Sequence, residues 1–210
     1  MVQKGETKRG KYELKRRAER QQETRRRIVE TAVELHRTHG PAQTTITDIA
    51  KRAGVERKTV YNHFPDELSL FKACSAHNRS LNPPPDPEGW TQIGDPEVRL
   101  RKALAEVYGY FRRNEQMIAN ATRDAQANAN VRKVFEARIE HQERMRDALA
   151  AGWEQGEDPG RHRLVYGALW VALEFQTWRA LVRQEGFEDE EVIELMVGMV
   201  RCAMIGKAAG

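Results

Sequence analysis

Residues 45–64 read TITDIAKRAGVERKTVYNHF. The run divides at a single glycine. Thr45-x-x-Asp48 is an Asp variant of the capping box, in which the hydroxyl accepts from a free backbone N–H and the carboxylate reaches back. This predicts a helix from Thr45 to about Ala53. Gly54 supplies a left-handed turn without steric penalty, and a further short helix is expected over roughly Glu56 to His63. Phe64-Pro65-Asp66 then breaks it. Ala50 is small where the two helices would cross, and Ile49, Val55 and Val60 are spaced to fill one small core. That is the sequence logic of a helix-turn-helix. In the second helix only Val60 and Phe64 remain for the core. Arg57, Lys58, Thr59, Tyr61, Asn62 and His63 all carry hydrogen-bonding groups, which suits a surface that reads base edges and phosphates. The alternative is a merely exposed polar helix. A membrane-binding helix would need an apolar face opposite its basic one, and two apolar residues do not make one.

Working outward, Ile28, Ala32 and Leu35 recur at the spacing of one helix face. The pattern begins near Thr24 and stops at His39-Gly40-Pro41, where Gly caps and Pro cannot continue. Upstream, residues 4–27 hold eleven Lys/Arg against four Glu. This segment is either a disordered arm or a helix that orders on a partner, and either a solvated tail or a DNA-tracking arm. Downstream, a helix is expected from about Glu67 to Arg79. Asn82-Pro83-Pro84-Pro85-Asp86-Pro87-Glu88-Gly89 cannot be helical and reads as a surface loop. Asp95-Pro96 opens a long helix with Leu100, Leu104, Val107 and Phe111 inward. Further helices are expected over 115–129, 131–153, 161–184 and 189–205. No stretch alternates with period two, and no hairpin signal occurs. The expected fold is all-α. A basic arm (1–23) precedes a helix-turn-helix domain (24–80), followed by a Pro-rich linker (81–94) and a C-terminal helical domain (95–210).

The chain has 210 residues, 40% apolar and 31% charged, enough to bury a core with long solvated helix faces. The net charge of +4 conceals an asymmetry. Residues 1–80 carry 18 Lys/Arg and 10 Asp/Glu, and the remaining 130 carry 17 and 21. A basic end points to a negatively charged partner. Two isolated cysteines, Cys74 and Cys202, form neither a disulfide framework nor a CxxC zinc site, so a reducing, cytoplasmic compartment is expected. The basic start is followed by no apolar run, so a secretory signal is not expected. Leu164–Val182 is the most apolar stretch, but it carries Glu174 and Arg179, which argues against a membrane span. Enzyme readings lack their motifs: there is no GxSxG, Walker loop, HExxH or paired-carboxylate signature. No catalytic residue, cofactor or metal site is expected.

Residues 24 to about 73 resemble the DNA-binding domain of the tetracycline-repressor (TetR) family of bacterial transcription regulators. The resemblance rests on Ile28-x3-Ala32-x2-Leu35, His39-Gly40, Thr45-x3-Ile49-Ala50-x2-Ala53-Gly54-Val55, Thr59-Val60-Tyr61-x-His63-Phe64 and Leu70-Phe71. It implies that Thr45, Thr47, Thr59, Tyr61 and His63 contact phosphates or bases, with Arg57, Lys58 and Asn62 as variable reading positions. Two features depart from the family pattern: Glu56 stands where Ser is common, and Pro65-Asp66-Glu67 stands where a Lys usually follows.

The resemblance also implies a homodimer that binds a near-palindromic double-stranded operator, usually as a repressor, released by a small-molecule effector. Leu164 to Val182 carries two apolar stripes, and a helix with two stripes must bury both. One can face its own domain and one a second copy. The last helix has a similarly wide face, so Phe175, Trp178, Val192, Met196, Met199 and Val200 are expected at the dimer interface. Candidate pocket residues are Tyr108, Phe111, Met117 and His141, with Met145, Trp153, Trp170 and Glu174. Glu174 needs a partner, an Arg across the dimer or a cationic ligand. Aromatic richness suggests a hydrophobic, or cationic, effector. Control by a partner protein, or a helical enzyme, are the rival readings.

Overall fold

A computed structural model describes residues 8–151, 153 and 159–205. Among these every regular element is helical. The chain divides into two compact units, Met1–Leu81 with Asn120–Val134, and Asn82–Ala119 with Phe135–Gly210.

The first unit opens with α1, Lys8–Thr38. The periodic apolar pattern predicts a start near Thr24, yet the helix begins sixteen residues earlier. From Lys11 to His39 there is neither Gly nor Pro, and most residues are straight-chain helix formers. Pairs such as Lys15–Glu19 and Arg26 with Glu23 and Glu30 add support along the surface. Only the second half packs: Ile28, Val29, Ala32 and Leu35 are buried, whereas residues 11–23 are exposed throughout.

A 3-10 turn, Pro41–Gln43, follows α1. Then come α2, Ile46–Ala53, α3, Arg57–His63, and α4, Glu67–Leu81. The core is small and closed. Ile28, Ile49, Val60 and Leu70 are essentially inaccessible, and Phe64 and Cys74 complete it. Residues 120–134 belong to this unit because they cap it. Asn120 Nδ2 donates to the Arg37 carbonyl at 2.8 Å, and the Arg123 guanidinium donates to the His39 carbonyl at 3.0 Å. The Asp124 carboxylate accepts from the Ala42 N–H at 2.8 Å. The first two satisfy carbonyls that the end of a helix leaves without partners, and the third satisfies the Ala42 donor.

The second unit contains the rest of α5, Pro96–Ala125, and of α6, Ala129–Ala150. It also holds α7, Pro159–Ala172, α8, Phe175–Arg183, and α9, Asp189–Ile205. Three expectations are corrected here. α5 is one helix, where two were expected to meet at Asn114-Glu115; Asn114 donates its amide to the Tyr110 carbonyl at 3.0 Å and so stays within the helix. The expected helix over 161–184 breaks into α7 and α8 at Leu173-Glu174. Glu174 has extended backbone and caps α8, and the turn lets Leu173 and Phe175 both enter the core. The Pro-rich stretch, expected to hold no helix, ends in a 3-10 turn, Pro87–Trp90, anchored by Trp90, which is buried and donates its indole N–H to Glu106 at 2.8 Å. The core gathers Leu100, Leu104, Leu149, Leu169, Phe175 and Trp178. Ion pairs Arg112–Asp189, Arg183–Glu115, Arg201–Glu97 and Arg101–Glu194 fasten its surface. No helix among the described residues is long and apolar enough to cross a membrane.

Candidate nucleic-acid interface

The two helices of the motif are set by their caps. Asp48 N–H donates to the Thr45 hydroxyl at 3.1 Å, and the Thr45 N–H and hydroxyl both donate to the Asp48 carboxylate, at 3.2 and 2.6 Å. These bonds hold the Asp48 carboxyl below the usual range. The capping box is therefore complete, and the Thr45 hydroxyl is engaged within the protein. Gly54 closes α2 in the left-handed region, φ 64 and ψ 42, which permits the sharp approach to α3.

α3 has seven residues. Val60 is wholly buried and Phe64, its C-cap, nearly so. Two anchors at this spacing fix the roll of the helix, and its polar side chains divide between two faces. Arg57, Lys58 and Tyr61 project outward; the Arg57 guanidinium lies 5.6 Å over the Tyr61 ring and donates to its hydroxyl at 3.3 Å. Thr59, Asn62 and His63 instead line a groove against α1. Thr47, at the start of α2, is exposed. Glu56 is the N-cap of α3 but makes no side-chain capping bond. The sequence did not signal the groove itself, because it depends on how far α1 continues.

The candidate effector and dimer residues fall in the second unit. Tyr108 is buried, with its hydroxyl donating to the Ala172 carbonyl at 2.9 Å; burial raises its pKa. Phe111 stacks with Phe175 and Trp178 at 5.3 and 5.7 Å. Met145 and Trp153 belong to the same core. Met117, His141 and Trp170 are half-buried; His141 Nε2 lies 2.9 Å from the Pro85 carbonyl, and Arg146 sits over the Trp170 ring. Glu174 accepts from Gln142 at 3.3 Å and from the Gln176 N–H. Its carboxylate thus finds partners within the chain, as the cap of α8. Arg138, which sequence reasoning passed over, places its guanidinium 5.1–5.8 Å from the Phe111, Phe135 and Phe175 rings. Desolvation lowers its pKa against the pull of Glu174.

The expected dimer residues divide by exposure. Phe175, Trp178, Val192, Met196 and Val200 are buried in the unit's own core, and Met199 is half-buried. The exposed apolar side chains of α7 and α9 are Leu164 and Val171, seven apart on α7, and Leu195 and Ile205 on α9; Val98 and Ile139 are exposed on α5 and α6. α7 and α9 pack on each other.

This arrangement is that of a helix-turn-helix. Residues 28–74 match the family described as bacterial regulatory proteins, tetR family. It is 35% identical over 97 residues to the HTH-type transcriptional regulator TtgR of Pseudomonas putida, a match covering 45% of this chain and 46% of that protein. The chain therefore spans less than half the length of the curated relatives it matches first. Solved structures share the fold over most of the chain. One is a putative transcriptional regulator from Saccharomonospora viridis in complex with choline (TM-score 0.62, 19% identity, 86% of this chain and 96% of that one). Another is NalD of Pseudomonas aeruginosa, the secondary repressor of the MexAB-OprM multidrug efflux pump (TM-score 0.60, 22% identity, 88% and 97%).

Proposed function

We propose that the protein is a homodimeric transcription regulator, a repressor, that places α3 in the major groove of a near-palindromic operator and leaves it when a small molecule binds the second unit. The observation that carries this is α3 itself. Two buried anchors, Val60 and Phe64, hold a seven-residue helix whose remaining side chains are polar and accessible. Arg57, Lys58 and Tyr61 are assigned the base-edge and phosphate contacts on its outward face, and Thr47, exposed at the start of α2, a further contact. Thr45 contributes chiefly as the cap. The Escherichia coli relative described as a probable acrEF/envCD operon repressor, 39% identical over 58 residues, supports the sign.

Dimerisation is assigned to the α7–α9 face that exposes Leu164, Val171 and Leu195, since apolar side chains on neighbouring packed helices mark an interaction surface. A dimer repeats α3 by two-fold symmetry, and half-sites about one helical turn apart follow. The effector's control is a difference in its affinity for the DNA-bound and released conformations. Its polar contacts are assigned to Arg138 and Glu174 beside the Phe111–Phe175 rings. That pair suits an apolar molecule with an acidic or dipolar group better than a bare cation such as choline.

The test is selection of duplexes from a random-sequence pool by the purified protein. Enrichment of an inverted repeat, bound by two chains per duplex, is the expected result. A pool that stays random would defeat the reading.

A further inference from the structure

The first half of α1 is unusual as packing. Residues 11–23 are exposed on every side, with Tyr12 and Leu14 61% and 60% accessible. A helix with no buried face gains nothing from tertiary contact, and isolated helical segments of this length are marginal in water. Its surface is nevertheless ordered by charge. Arg16, Arg17, Arg20 and Arg25 line one side of an open groove. Thr59, Asn62 and His63 of α3 line the other, and Glu13 is the acidic group on the α1 side. Among the described residues none of the four arginines forms an ion pair, whereas Arg26 and Arg37, on the same helix but outside the groove, do. From Arg16 to Arg25 the helix rises about 14 Å. A row of guanidiniums without carboxylate partners beside short hydrogen-bonding side chains matches a run of phosphates.

We infer that this groove is a clamp for one sugar–phosphate strand of the duplex that α3 reads, with Arg16, Arg17 and Arg20 neutralising successive phosphates. The inference rests on the assignment of α3 to the major groove. Thr59, Asn62 and His63 then serve the clamped strand, while Arg57, Lys58 and Tyr61 serve base edges and the facing backbone. The extension of α1 is thus part of the DNA surface, and its helical state is supported by the strand it holds.

The experiment compares the full chain with the Arg16→Gln, Arg17→Gln, Arg20→Gln triple variant. Fluorescence anisotropy follows a duplex enriched from the random pool and an unrelated duplex of equal length, across a salt series. Gln keeps helix propensity, and these side chains are exposed, so folding is preserved; circular dichroism checks this. Each lost phosphate contact makes the slope of log affinity against log salt shallower by about 0.9. The expected change is therefore about two to three. Affinity should fall by similar factors for both duplexes, because phosphate contacts carry no sequence information. The Arg16→Lys, Arg17→Lys, Arg20→Lys variant should keep most of the parent's slope. An unchanged slope, with Lys58→Ala and Tyr61→Ala still weakening the selected duplex, overturns the clamp and leaves α3 in place. Absence of salt-dependent DNA binding by the parent overturns both. Charge-dependent binding to phosphatidylglycerol vesicles, lost in the triple variant while the DNA slope stays the same, assigns the arginines to a membrane and overturns the clamp.

Discussion

The Arg25 guanidinium of α1 lies 4.8 Å over the ring of Phe64, the C-cap of α3. The contact joins the one basic helix to the buried end of the other, so the two present their surfaces in a fixed relation. Cation–π contacts at partly exposed sites are worth about 0.5–1 kcal/mol. Arg25→Ala should lower stability by that amount, read as a shift in urea midpoint. Phe64→Ala removes a core ring and should cost about 3–5 kcal/mol.

Gly40 is constrained twice. Its φ is 97, in the region that disfavours side chains, and a Cβ there would run into Arg123 and Asp124. Gly40→Ala should destabilise by about 1–3 kcal/mol and break the Asp124–Ala42 hydrogen bond. Thermal unfolding measures the first, and amide exchange at Ala42 reports the second. A variant as stable as the parent would contradict the packing of residues 120–124 on the end of α1.

His36 gives a pH dependence. It is buried against Phe71, and burial pushes its pKa from 6.5 down to about 4 despite the field of Asp124. The native state therefore resists protonation. Above pH 6.5 the imidazole is neutral in both states and stability is full. As pH falls from 6.5 towards 4, the unfolded chain takes up a proton that the native state refuses. Up to roughly 3 kcal/mol is lost over this window. Urea unfolding across it should show a flatter profile for His36→Phe than for the parent.

Assembly should separate two classes of substitution. Leu195→Glu and Val171→Glu place charges on the exposed α7–α9 face and should yield folded monomers by sedimentation. Val192→Glu places one in the core and should unfold the second unit, because an isolated buried charge is not tolerated. Folded dimers of the Leu195→Glu, Val171→Glu double variant would move the interface elsewhere.

The helix-turn-helix was legible because its signals are local. The capping box, Gly54 and the Val60–Phe64 spacing each act within a few residues, and each appears as read. The extent of α1 was hidden because its first half buries nothing, so no apolar period marks it. The break at Glu174 was hidden for the opposite reason. Apolar residues lie on both sides, and a helix buried all round looks continuous whether or not it turns. Burial in a shared core and burial against a second copy also produce the same sequence pattern. Phe175, Trp178 and Val192 could therefore be assigned to either until the packing of α8 and α9 showed their surfaces already covered.

The central claim is that the outward face of α3 reads DNA. Anisotropy titration of the duplex selected by the protein, with Lys58→Ala and Tyr61→Ala variants at fixed salt, tests it most directly. Each substitution should weaken the selected duplex by about 1–3 kcal/mol with helicity and dimer intact. Preference over an unrelated duplex should narrow accordingly. A variant carrying both substitutions that keeps the parent's affinity and preference would contradict the account.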